Sequence, residues 1–263
     1  MDPSPADTAF DLLFLVSLAI TILYLSTRSR WFVRILLSKD RSPRSIAILI
    51  VAGGILQILS LEFSIPFPGG AMADIRISLA ILFGIIGGPA VSIPVGLIGG
   101  AYRMGGLFWS GFNGTLGYTL AVGGGINAIG AGMVGALLNR KGITISDLNK
   151  RGLAITMLST ILWILVGIEL IDPITAPLFS EMDAAEAFYF TSRTILVPIM
   201  VANLFAMTVF MSVLNGVVME EKKKRFLQKL VQRYEELIGP VAGRIARDTA
   251  KEEGYPPEDL KEK

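Results

Sequence analysis

The sequence predicts an all-α, polytopic membrane helix bundle with about six full spans, a glycine-rich short-helix hairpin and a cytosolic helical tail. Three observations carry this. The 263 residues are 52% hydrophobic, with only 17% charged, and mean hydropathy is +0.60. The charges gather in a few clusters between long apolar runs, as expected of a chain whose solvent is largely lipid. Of 28 glycines, 17 fall between Gly84 and Gly135, and small residues let helix backbones approach closely in lipid.

The apolar runs are Ala9–Leu25, Ser45–Leu61, Ile77–Ala101, Phe112–Leu138, Gly152–Ile171 and Thr194–Val218. A single span needs about 20 apolar residues. Ala9–Leu25 follows a short acidic N-terminus (Asp2, Asp7) and has no basic residue before it. It reads as a first transmembrane helix rather than a cleaved signal peptide. Basic residues set the orientation. Arg28, Arg30, Arg34, Lys39, Arg41 and Arg44 fill the first loop, which the positive-inside rule assigns to the cytoplasm. Arg140, Lys141, Lys150 and Arg151 form a second cluster, and Lys222–Arg225 a third. The segment Asp172–Ser192 is instead acidic, with Glu181, Asp183 and Glu186.

All three basic clusters fall inside only if Ile77–Ala101 enters the membrane and returns. Gly87-Gly88-Pro89 marks the reversal. The limbs Ile77–Gly88 and Pro89–Arg103 are then short helices of about 12–15 residues, roughly 18–22 Å long. Such limbs are tolerated where they are buried in protein or line a cavity. The N-terminus is expected outside and the C-terminus in the cytoplasm. Domains are read as 1–218, membrane-embedded, and 219–263, a cytosolic tail.

An arginine at each end of this hairpin is the chief functional signal. Arg76 and Arg103 would lie on one face of the bilayer. Arginine within a membrane is costly and marks a functional site by default. Two guanidinium forks match a carboxylate; the alternative is interfacial anchoring, with stems in apolar surroundings and heads in water. Asp74 either caps the first short helix or pairs with an arginine. Asn113, Ser110 and Tyr102 are further candidate ligand contacts, although Tyr102 and Trp109 also suit an interface belt. Gln57, Asn127 and Asn203 read as polar links between helices, and Glu169 with Arg193 as an ion pair.

Other motifs fall away. Gly130-Ala131-Gly132-Met133-Val134-Gly135 fits a dinucleotide fingerprint but lies inside an apolar helix with no strand before it. Asn113-Gly114-Thr115 is a short chance match to a glycosylation sequon. The chain has no cysteine and no histidine, which excludes disulfides, thiol catalysis, imidazole bases and a phosphoacceptor histidine. No catalytic constellation, cofactor or metal site is expected.

Asp74-Ile75-Arg76, Gly87–Pro89 and the run Gly96–Gly106 (GLIGGAYRMGG) resemble the membrane region of LytS-type and YhcK-type signalling proteins, the five-transmembrane LytS family. The resemblance covers roughly residues 45–218. It implies a prokaryotic sensor module, which in some members receives small external carboxylates such as pyruvate. It also implies a membrane fold related to the binding subunits of vitamin transporters. About 45 residues follow the last span, too few for a kinase or cyclase, so the expected output is a separate partner unless the chain is a fragment.

In the tail, Leu227, Leu230, Tyr234, Leu237 and Val241 step by 3 and 4 residues, a coiled-coil seam of about two heptads. Gly239-Pro240 breaks it, and a second amphipathic helix is expected over Val241–Glu253. The tail either makes a homodimer and docks a partner, or lies on the membrane through Lys222–Arg225. The functional expectation is a receptor for a small extracellular anion. The rivals are a transporter's substrate-binding subunit and an accessory protein without a ligand.

Overall fold

A computed structural model describes residues 42–66, 72–109, 115–145, 150–179 and 183–239 continuously, with isolated residues on either side. The chain divides into two units, Met1–Val213 and Leu214–Lys263. Among the described residues four helical stretches are long and apolar enough to cross a membrane: Pro43–Glu62, Val122–Arg140, Arg151–Leu178 and Leu196–Tyr234. Most of the run Ala9–Leu25 and most of the second tail segment, Val241–Glu253, lie outside the described residues, though the described ones in each are helical.

Helix α1, Pro43–Glu62, starts where Ser42 accepts a hydrogen bond from the Ser45 N–H and Pro43 opens the first turn. That is the usual chemistry of a helix N-terminus. A two-residue antiparallel ladder follows, β1 (Ile65–Pro66) with β2 (Met72–Ala73). This ladder departs from the purely helical expectation. Helix α2, Arg76–Gly87, has 12 residues, about 18 Å. It ends at Gly88, whose φ of 66° suits glycine because it lacks a Cβ. The Gly88 N–H donates back to the Gly84 carbonyl at 2.8 Å.

Helix α3, Pro89–Trp109, runs six residues past Arg103, so Arg103 sits inside the helix rather than at its end. Helix α4 is Thr115–Arg140 and α5 is Lys150–Val166. A π-helical segment, Gly167–Ile171, leads without a break into α6, Asp172–Phe179. After α7, Ala184–Phe190, a second π-helical segment, Thr191–Ile195, leads into α8, Leu196–Ile238. Asp172–Ser192 is therefore largely helical, not an acidic solvent loop. The reason is continuity: Asp172 opens α6 directly from the π segment, and it is 7% exposed.

Glycine sets how close α2, α3 and α4 lie. A Cβ built on Gly84 would sit 2.6 Å from the backbone of Gly135, and one on Gly135 would sit 2.2 Å from the Ile81 carbonyl oxygen. Gly96 and Gly132 meet the backbones of Ala128 and Ser92 at 2.9 and 2.8 Å in the same way. The helices therefore touch backbone to backbone along this seam, which gives van der Waals packing where lipid supplies no hydrophobic drive.

The start of α2 is held by side chains from other helices. Asn203 of α8 accepts from the Ser78 N–H at 2.9 Å and donates to the Asp74 carbonyl at 2.8 Å. The Ser60 hydroxyl accepts from the Ile75 N–H at 3.1 Å, and Gln57 donates to the Arg76 carbonyl at 3.1 Å. Gln57 and Asn203 thus link helices as the sequence indicates. Both are fully buried, so these bonds satisfy polar groups that water cannot reach.

In the second unit α8 continues to Ile238 and stops at Gly239, whose φ is 92°. Phe226, Leu230 and Tyr234 are exposed, while Val231 is buried. Lys224 pairs with Glu220 and Arg225 with Glu221 one turn apart, contacts worth only a few tenths of a kcal/mol each.

Gly135→Ala should lower stability by about 1–3 kcal/mol, because the added methyl meets backbone rather than a movable side chain. Gly216, inside α8, has nothing within 4 Å of a built Cβ. Gly216→Ala should leave stability unchanged or raise it by about 0.5–1 kcal/mol. Thermal unfolding of the two variants in detergent checks both expectations.

Candidate functional site

The site begins with local chain chemistry at the start of α2. One oxygen of Asp74, Oδ1, accepts from the Arg76 N–H at 3.0 Å. The other, Oδ2, accepts from Arg76 Nε and Nη2, both at 2.7 Å. Asp74 therefore pairs with the arginine and also accepts from its backbone N–H, the first of the helix, from one residue before the N-cap position at Ile75. The two side chains are 6% and 7% exposed. A carboxylate and a guanidinium this deep persist only because each satisfies the other.

The pair leaves one edge of the guanidinium over. Arg76 Nη1 is buried and has no hydrogen-bond partner among the described residues. Arg76, Asp74 and Arg103 line one cavity, together with Gly124, Asn127 and Asp172 and an apolar wall that includes Ile77, Ile168 and Ile199. Its empty volume is about 520 Å³, mouth included. Arg103 reaches it from α3, Gly124 and Asn127 from α4, Asp172 from the start of α6, and Ile199 from α8.

Glycines make the room. A Cβ on Gly124 would lie 3.2 Å from Arg76 Nη2, and one on Gly123 would lie 2.2 Å from Asp172 Oδ1. A Cβ on Gly167 would strike the Asn127 amide at 1.9 Å. Three polar side chains of the cavity thus rest directly against glycines, and a methyl at 123 or 167 would push the Asp172 or Asn127 side chain aside. The two π-helical segments meet beside it, where the Thr191 hydroxyl donates to the Ile168 carbonyl at 3.3 Å. Single-turn π insertions are frequent at functional sites.

The structure gathers Asp74, Arg76 and Arg103 of the sequence candidates. Tyr102 is directed elsewhere: its hydroxyl donates to the Glu62 carboxylate, and it is not among the lining residues. Ser110 and Asn113 lie outside the described residues. Glu169 accepts from the Ser192 hydroxyl at 2.8 Å, and Arg193 stacks 4.5 Å over the Tyr189 ring. These two charges therefore do not form the ion pair read from the sequence. Asp172 was missed as a site residue because it closes an apolar run and opens an acidic one, which mimics a loop boundary. Its signal was Asp172-Pro173 continuing into the apolar Ile174–Leu178.

Asp74→Asn should cost about 3–5 kcal/mol of stability, because it leaves the Arg76 guanidinium buried without its counter-charge. The double variant Asp74→Asn/Arg76→Met should recover most of that loss, since Asn keeps an oxygen for the first N–H of the helix. Thermal unfolding of the two proteins side by side measures it.

No curated protein and no solved structure matches the chain. The family described as "5TMR of 5TMR-LYT" matches residues 29–217, well over half the chain and all of the cavity. It is a family of membrane sensor domains rather than catalytic ones. On that match, the chain belongs to the LytS-type five-transmembrane sensor family.

Proposed function

We propose that this chain is a membrane receptor that binds a small extracellular carboxylate and passes the signal to a cytosolic or membrane partner. The observation that carries the reading is the cavity lined by Arg76 and Arg103, which come from neighbouring helices. A partly dry site strengthens charge-assisted hydrogen bonds, and a guanidinium presents them in a fork that fits a carboxylate. Asp74 holds Arg76 in place, so less of its freedom is lost on binding. Arg103, which extends from the middle of α3, is the second jaw.

In this reading α2 and α3 form the hairpin within a bundle of about six full spans, with the N-terminus outside and residues 219–263 in the cytoplasm. The basic clusters Arg140–Arg151 and Lys222–Arg225 support that orientation. Ile195, which ends the second π-helical segment, and Ile199, in the first turn of α8, line the cavity, and α8 continues to Ile238. A ligand that binds better when these residues close on it shifts the conformation of α8, and it shifts it only by that difference in affinity. The tail then acts as a homodimer whose helix carries the change to the output protein. Ser110 and Asn113, which lie outside the described residues, stay proposed ligand contacts on the sequence alone.

Thermal shift of the purified protein with small carboxylates tests the binding. Carboxylates should raise the melting temperature, and Arg103→Ala should abolish the rise. No shift with any carboxylate, or a shift that survives both Arg76→Ala and Arg103→Ala, would overturn the receptor reading. The absence of native cysteine makes the orientation separately testable. Single cysteines at 183 and 222 should label from outside and inside the cell respectively; the reverse pattern would refute the hairpin topology.

A further inference from the structure

The cavity holds more than cations. Its ionisable side chains are Asp74, Arg76, Arg103 and Asp172, two acids and two bases, so its formal charge is zero. Asp74 is engaged by Arg76 and by the helix start. Asp172 is different: its Oδ1 is buried with no hydrogen-bond partner among the described residues, and so is Asn127 Oδ1. The residues are 7% and 5% exposed. An ionised carboxylate accepts hydrogen bonds and donates none. A buried one left unsatisfied is expensive.

A simple carboxylate makes this worse. It meets Arg76 Nη1 and Arg103 but adds a second negative charge beside Asp172 and leaves the Asp172 and Asn127 acceptors empty. A ligand that also brings a donor satisfies both ends. Resting on the receptor reading above, we propose that the ligand is a small carboxylate carrying a hydrogen-bond donor on the adjacent carbon, a short-chain amino or hydroxy acid. Its carboxylate faces Arg76 and Arg103, and its amino or hydroxyl group donates to Asp172, with Asn127 beside it. The apolar wall of Ile77, Ile168 and Ile199 receives a short aliphatic side chain. An ammonium group would also restore the cavity to zero net charge, which a hydroxyl does not. Asp172 is then the specificity-determining residue, because a site built to hydrogen-bond a group rejects the analogue lacking it.

Calorimetric titration of the full chain in detergent with alanine, lactate, propionate and pyruvate tests this. Propionate and pyruvate keep the size and the carboxylate but lack the donor. Alanine or lactate should bind at least about tenfold tighter than either, a difference of about 1.4 kcal/mol. Whichever of the two is tighter identifies the donor as ammonium or hydroxyl. Asp172→Leu, which removes the acceptor altogether, should bring the preferred ligand down to the propionate level. Propionate or pyruvate binding as tightly as both alanine and lactate would overturn the proposal and leave the carboxylate receptor standing. Binding of none of the four would overturn both. The unmodified protein gives the ligand ranking, so the result does not depend on the variant folding.

Discussion

The structure of the first unit depends on how a charged helix start is kept inside an apolar bundle. Helix α2 begins at Arg76, which is 6% exposed. Its N-terminal N–H groups have no partners within the helix, and water does not reach them. Asp74 answers two needs with two oxygens, one on the backbone and one on the guanidinium. Asn203 of α8 and Ser60 of α1 accept from the Ser78 and Ile75 N–H groups, and Gln57 of α1 donates to the Arg76 carbonyl. A short helix is thereby anchored at three points by side chains distant in sequence. The energetic logic is that of avoided penalty. Each bond adds little on its own, but each unmade one would leave a buried polar group exposed to nothing.

The glycine seam is the second half of the same arrangement. Close approach of α2, α3 and α4 leaves no depth for side chains where backbones touch, so the polar residues collect at the end where the helices leave room. Gly123, Gly124 and Gly167 open that room beside Asp172, Arg76 and Asn127. Packing and site are consequently hard to separate: enlarging one of these glycines changes the position of a charged or amide group of the cavity, not merely the helix spacing.

Much of this was legible in the sequence, and the parts that were not have physical reasons. Arg76 and Arg103 stood out because arginine is rare in apolar segments, and Gly87-Gly88-Pro89 marked the break between their helices. Gln57 and Asn203 were legible as isolated amides on apolar faces. The double duty of Asp74 was not, because accepting from the helix start and pairing require the same residue type and differ only in where each oxygen points. Asp172 was hidden by context: π-helical segments alter the helical period without a sequence signature, so the apolar run and the acidic run around it looked like a span and a loop. Tyr102 shows the opposite error. One residue from Arg103 along a helix is about 100° around its axis, so a neighbour in sequence faces a different direction, here toward Glu62.

The central claim is that one ligand carboxylate is shared by arginines from two neighbouring helices. The most direct measurement is an experimental structure of the full chain soaked with a bromine-labelled short-chain carboxylate, located by its anomalous signal. The account predicts a single bromine peak against the isoleucine wall, with the carboxylate about 3 Å from the guanidinium groups of both Arg76 and Arg103. A peak elsewhere, or an empty cavity at saturating ligand, would contradict it.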